Sequence, residues 1–405
     1  MEPFSIITEI LIVLAAALLL GELFERFRLP AVVGEILSGI IIGPSLLGLV
    51  VADEPFRAVS SVALFFIIFH IGFEMKTQMI RGRIRVASLF SFTSFLIPLG
   101  WMTVAAPLFF PFFTFTESLV IALAIAVPSL SIVSVLIYQY KLLKTATGQT
   151  ILASVTISDV LAFIFLAGII RPIESTLTIS MEIVLFITLY ATLDAVLNWK
   201  PHVFQEAINR SSGFFKRQDF AFALLIVIAL LVSVIFQNMG LSFILGAFFA
   251  GLILHDGFIG RKACDRISQT LSTMNSIFFI PVFFGFAGVE VALMEIDSLN
   301  FVGMAMLISI ALGIGVSLTY FVSKKYLHAK VDVAPKQLAG ILGGRGAIGI
   351  VIATVAVSEG VLSESGFSLV IVATMIFSLI IPFLTGRKSA EQIKEKCSDE
   401  IILSQ

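Results

Sequence analysis

The chain has 405 residues, of which 58% are hydrophobic and 13% charged, with a net charge of -1 and a mean hydropathy of +1.06. A water-soluble protein carries about a quarter charged residues, so half that share excludes a soluble globular chain and points to an integral membrane protein. The near-neutral balance contains no basic stripe and excludes a nucleic-acid partner, while Cys264 and Cys397 lie too far apart in polar stretches to support a disulfide framework or a metal site.

A membrane helix needs about 20 apolar residues, whereas a β-barrel strand alternates over about ten. Unbroken runs such as ILIVLAAALLL at 10–20 predict helices. In chain order the predicted spans cover residues 4–20, 31–49, 59–74, 86–108, 119–137, 147–170, 183–197, 220–236, 241–254, 271–289, 301–322, 337–357 and 366–384. That makes about thirteen, with twelve as the alternative because several are short. Met1-Glu2-Pro3 carries no positive charge, so the first run reads as a helix rather than a signal peptide. With the N-terminus outside, the inner loops and the tail hold 23 of the 26 bases, the outer loops hold Arg57 and Arg171, and Arg345 falls inside a span. Positive charge gathers on the cytoplasmic side, so the C-terminus is expected there, and the expected location is the plasma membrane.

An internal repeat accompanies the spans. LPAVVGEILSGIIIG at 29–43 aligns with LSFILGAFFAGLILH at 241–255, matching Gly34 with Gly246 and Gly39 with Gly251. At almost the same offset, Phe65-Phe66-Ile67 with Gly72 aligns with Phe278-Phe279-Ile280 with Gly285. The offset pairs the second span with the ninth, an odd separation, so the halves are expected to be inverted in the membrane, as in secondary transporters.

Asp159 stands at the centre of the sixth span, where a charge costs ~2.5 to 3.5 kcal/mol on insertion scales. It is expected to face protein or water and to have a functional role, with a structural pair or a buried protonated acid as the alternative. Thr156, one turn earlier, and the adjacent Ser158 are candidate oxygen ligands; the alternative is that they bond back to helix carbonyls. Pro128 interrupts the fifth span ahead of Ser129, Ser131 and Ser134. Proline removes a backbone bond and frees carbonyls at membrane depth, and Ser129 and Ser131 join the candidate ligands. The matching place in the other half holds Gly343-Gly344-Arg345-Gly346 in span twelve, so both halves are broken at corresponding positions. Arg345 either neutralises half-helix C-termini or pairs with an acid, the former being preferred. Glu74, at the inner end of span three, is a candidate cytoplasmic entrance; Glu35, Asp194 and His70 carry weaker signals. No HExxH, Walker-type loop, GxSxG or CxxC pair is present, which leaves an enzyme without its usual residues.

With those residues in place the whole chain resembles the monovalent cation:proton antiporters of the sodium/proton exchanger superfamily, in the branch with sodium/proton antiporters and potassium-efflux systems. The segment LPAVVGEILSGIIIGPSLLG at 29–48, the GFE at 72–74, the broken fifth helix leading to Asp159, and the GGRGA at 343–347 carry the resemblance. It implies an all-α fold of inverted repeats with crossed discontinuous helices, and a homodimer working as an elevator. It implies a dimerisation panel from residues 1–75 and 219–296, and a transport core from 76–170 and 297–386. A linker helix and loop at 171–218 and a short cytoplasmic tail at 387–405 complete the chain. The family's aspartate maps to Asp159 and its preceding partner to Ser158, which departs from the usual Asp-Asp and Asn-Asp pairs. Span eleven lacks the lysine of electrogenic members. The expected function is therefore one-for-one exchange of Na+ or Li+ for H+ at Asp159, with no cofactor. K+/H+ antiport is the alternative and ranks second, because potassium-efflux relatives usually carry a nucleotide-binding tail that is not seen in this sequence. Rivals of another class are a gated channel or sensor and a sodium-coupled organic-anion symporter, although no TVGYG-like filter is visible.

Overall fold

Apolar runs free of turn residues coil into helices in a bilayer because a helix satisfies its backbone groups within one segment. A computed structural model describes residues 6–27, 29–74, 84–109, 113–129, 133, 136–137, 142, 145–170, 220–238, 243–253, 261–292, 298–326 and 335–384. The seventh span with Asp194, the tail with Cys397, and Ser131 and Ser134 lie outside the described residues, as does the Glu74 side chain. The helices are α1 Ile6–Arg26, α2 Ala31–Ile42, α3 Glu54–Glu74, α4 Ile84–Ser91, α5 Ile97–Phe109, α6 Phe115–Ala126 and α7 Ala146–Ile170. They continue as α8 Phe220–Asn238, α9 Phe243–Ile253, α10 Arg261–Met274, α11 Ile280–Val289, α12 Ser298–Tyr326, α13 Pro335–Leu342, α14 Ala347–Ser358 and α15 Glu364–Leu384. Six helical stretches among the described residues are long and apolar enough to cross a membrane. No β-strand occurs among the described residues. Large apolar side chains stand exposed along α1, with Ile7 75% and Leu19 71% accessible, a surface suited to lipid rather than water.

Two spans contain a widened turn. Phe92–Leu96 joins α4 to α5 and Asn275–Phe279 joins α10 to α11 as π-helix, with the Ile97 N–H donating to the Phe92 carbonyl and the Ile280 N–H to that of Asn275. Each is followed by the same dipeptide, Ile97-Pro98 and Ile280-Pro281. Proline has no N–H to donate and its ring crowds the carbonyl four residues earlier, so the preceding turn is wider than an α-turn.

Contacts divide the chain into two units, one from Met1–Leu20, Glu35–Thr77 and Ala167–Val289, the other from Gly21–Gly34, Gln78–Leu166 and Glu290–Gln405. The first unit is keyed by glycine. A Cβ on Gly39 of α2 would strike the Gly285 carbonyl of α11, and one on Gly251 of α9 would strike the Phe69 carbonyl of α3 beside Gly72. These contacts are reciprocal under the sequence alignment, since Gly39 aligns with Gly251 and Gly285 with Gly72. Phenylalanines fill the remaining space, with the Phe66 and Phe279 rings stacked at 4.5 Å.

In the second unit, α4, α7 and α13 meet around Phe90, Ile151, Val155, Leu338, Ile341 and Leu342, joined by Val133 and Leu136 from beyond the Pro128 break. Gly349 of α14 lies so close to the Ala124 carbonyl of α6 that any side chain there would collide with it.

Candidate functional site

Pro128 and the glycines at 343 and 344 end their helices for different reasons, ring constraint in one case and lack of a stabilising side chain in the other. In the structure α6 stops at Ala126, α13 at Leu342, and the chain resumes as helix at Ala347. The two interruptions meet. Pro128 and Arg345 form an isolated antiparallel bridge, and the Ser129 N–H donates to the Gly344 carbonyl at 2.8 Å. Main-chain groups freed by each break are therefore partly satisfied by the other, as they must be away from water.

Arg345 is 2% exposed. Its Nη1 donates to the carbonyl of Leu342, the last residue of α13, at 3.3 Å, and its Nη2 to the Ser94 carbonyl at 2.7 Å. Among the described residues its side-chain bonds go to main-chain carbonyls, and its Nε has no partner. The first contact sets a cation against the negative end of a half-helix. The second has a local cause: Ser94 lies four residues before Pro98, which has no N–H to give it. The Arg345 carbonyl in turn accepts from the Ser378 hydroxyl of α15 at 2.7 Å.

Asp159 is fully buried, and neither carboxylate oxygen has a hydrogen-bond partner among the described residues. One turn before it on α7, Val155 packs in the same cluster as Ile341 and Leu342. This sets the helix of Asp159 against the residues that lead into the second break. Ser158, also fully buried, donates to the Ser154 carbonyl at 3.0 Å and shares a bond of 2.8 Å with the Ser91 hydroxyl of α4. Thr156 is half-buried, Ser129 is buried beside the bridge, and Glu74 closes α3. Glu35 is buried on α2 and His70 half-buried on α3, both in the first unit, whereas Asp159 belongs to the second.

Four residues went unnoticed in the sequence: Ser91, Ser94 through its carbonyl, and the buried pair Thr93 and Thr319, whose hydroxyls lie 3.0 Å apart between the π segment and α12. The available signal was the run SFTS at 91–94, three hydroxyls within four residues of an apolar span, shortly before Ile97-Pro98. A buried carboxylate without a compensating donor is costly to leave ionised.

The sequence matches the family described as "Sodium/hydrogen exchanger, transmembrane" over residues 11–387. The Na(+)/H(+) antiporter NhaS4 of Synechocystis sp. is 26% identical, over 93% of this chain and 95% of its own length. The probable Na(+)/H(+) antiporter 3 of Methanocaldococcus jannaschii is 25% identical over 71% of this chain and 72% of its own. K(+)/H(+) antiporter 1 of Saccharomyces cerevisiae is 22% identical over 89% of this chain, which spans 44% of that longer protein. Among solved structures, the sodium proton antiporter MjNhaP1 of Methanocaldococcus jannaschii superposes with a TM-score of 0.68 at 16% identity, over 93% of this chain and 94% of its own, a likeness of fold. With the match covering nearly the whole sequence, the chain is a multi-pass membrane protein that belongs to the sodium/hydrogen exchanger family.

Proposed function

We propose that the chain is a secondary antiporter that exchanges Na+, or Li+, for H+ at Asp159. The observation that carries this is the fully buried Asp159 carboxylate without a hydrogen-bond partner among the described residues. One carboxylate is neutralised by a proton or by a dehydrated cation, not by both, so the two compete and their fluxes are coupled. Ser158, Thr156 and the oxygens near Ser129 and Ser131 complete the cation's shell, while Pro128, Gly343, Gly344 and Arg345 hold the break that exposes them. Glu74 lines the cytoplasmic entrance.

If the loaded, neutral forms cross and the bare anion does not, each cycle moves one positive charge in either direction and is electroneutral. The second unit is the mobile body that carries the ion in an elevator cycle, and the first is the dimerisation panel. Unit boundaries at Thr77, Leu166 and Val289 support this division, although Gly21–Gly34 falls with the second unit. The panel and core descend from an inverted duplication, supported by the reciprocal glycine contacts. The protein works as a homodimer in the plasma membrane, surrounded by lipid, with its N-terminus outside and its C-terminus cytoplasmic. Sodium is preferred because the relatives NhaS4 and the M. jannaschii antiporter are named for Na+; the yeast relative named for K+ supports K+/H+ exchange as the second reading.

The test is cation-driven proton flux in proteoliposomes with Na+, Li+ and K+ in turn. Asp159→Asn is expected to abolish exchange with every cation, and retention of full flux by that variant sinks the assignment. Accumulation of cation against its gradient, driven by pH, separates an antiporter from a channel.

A further inference from the structure

The hydroxyl of Ser158 has one proton and two lone pairs. Its proton lies on the Ser154 carbonyl, an acceptor only, at 3.0 Å. The 2.8 Å contact with Ser91 must therefore run the other way, with Ser91 donating to Ser158. Both side chains are sealed from solvent, at 1% and 0% exposure, and among the described residues the Ser91 hydroxyl bonds only to Ser158. The protons are thus ordered in one direction, from Ser91 to Ser158 to the Ser154 carbonyl. Ser158 is left with one unused lone pair and no proton to give. This fits the neighbouring Asp159, whose oxygens receive no donor from the described residues.

Ser91 is the last residue of α4, just ahead of the π segment at Phe92–Leu96. Across this junction the stretch presents Ser91 to α7, Thr93 to α12 and the Ser94 carbonyl to Arg345. A helix turns residues two apart to nearly opposite sides, so Ser91 and Thr93 meet different neighbours.

We propose that Ser91 is a positioning residue for cation exchange, fixing the Ser158 hydroxyl so that it meets the ion only as an acceptor. The inference rests on the assignment of the ion to Asp159 and Ser158. Its physical content is preorganisation: an acceptor already turned away from donating costs nothing to orient when the cation arrives. Without Ser91, the Ser154 carbonyl alone holds the Ser158 hydroxyl, so swinging its proton to the Asp159 carboxylate breaks one bond instead of two, and a hydroxyl so turned must be turned back before the cation binds.

The experiment is Na+-driven and Li+-driven proton flux in proteoliposomes for the full-length chain and its variants. Ser91→Ala is expected to raise the KM for the cation about fivefold, the loss typical of one hydrogen bond, with Vmax within about twofold of the parent. Ser91→Thr, which keeps the hydroxyl, restores the parent KM. In a Ser158→Ala background, Ser91→Ala changes KM no further, because the group it positions is gone. An unchanged KM with reduced Vmax, or an additional KM increase in the Ser158→Ala background, overturns the proposal and leaves Ser91 as packing. Failure of the underlying site is distinguished by Asp159→Asn: if that variant still exchanges, the ion is elsewhere; if it is inactive while Ser91→Ala keeps its KM, only the role of Ser91 falls.

Discussion

Glu117 stands in the first turn of α6 in the second unit, ahead of the 119–137 span. Its carboxylate accepts from the Thr114 N–H at 2.9 Å and hydroxyl at 3.0 Å, while the Thr114 hydroxyl receives the Glu117 N–H, a reciprocal cap that starts α6. Its other oxygen accepts from the Ser363 N–H at 3.3 Å, tying that cap to the turn between α14 and α15. Partial burial pushes the carboxyl up, but the bonds from Thr114 and Ser363 outweigh it and hold the group below its usual range. A lowered folded value means stability that is present above the ordinary carboxylate pKa of about 4.3 and lost as pH falls through the folded value. Glu117→Gln is therefore expected to cost ~1 kcal/mol at neutral pH, and its thermal midpoint in detergent should converge with the parent's as pH falls through the lowered folded value. A gap independent of pH would reject the cap as its cause. Single residues were unequally legible. Asp159 stood out because a central acid in an apolar span is expensive, whereas Ser91 did not, since a hydroxyl in a helix usually bonds its own backbone and only the fold reveals that it meets Ser158.

At the scale of elements, the join between α4 and α5 inverts a familiar rule. Replacing proline inside a helix with alanine ordinarily stabilises the helix by as much as ~3 kcal/mol. At Pro98 the new N–H would compete for the Ser94 carbonyl, which Arg345 now holds at 2.7 Å, and the lost ring would leave a gap against Gly315 of α12, whose site is shaped around Pro98. Pro98→Ala is thus expected to lower the thermal midpoint of the purified protein, measured by unfolding fluorescence, and a clear rise would show that the π segment does not depend on this contact. The breaks at Pro128 and at 343–346 were visible in the sequence because proline and clustered glycine act locally. The π segments were not, because periodicity reads 86–108 as one unbroken span and cannot say where one turn takes up an additional residue.

At the scale of the whole molecule, scarcity of charge and long apolar runs foretold a multi-pass membrane protein, because hydrocarbon excludes charged side chains whatever the tertiary packing. The interleaving of the chain between two units was not written locally; it depends on which helices meet, through contacts such as that between Gly39 and Gly285. The proposed exchange at a single carboxylate, Asp159, implies a whole-cycle property. A valinomycin-imposed potassium potential should leave the rate of Na+/H+ exchange unchanged, and strong acceleration would reject the one-to-one count.

The bridge between Pro128 and Arg345, with the Ser129 N–H on the Gly344 carbonyl, is made of main chain. Such a joint is indifferent to most side-chain replacement but sensitive to length. One residue added to or removed from either break would shift its register, turn the Arg345 guanidinium away from its carbonyls and strand polar groups in the hydrocarbon. Lineages that keep this crossing are therefore free to drift far in composition while insertions and deletions are confined to the loops, and a strict residue count through the two interruptions becomes its most durable signature.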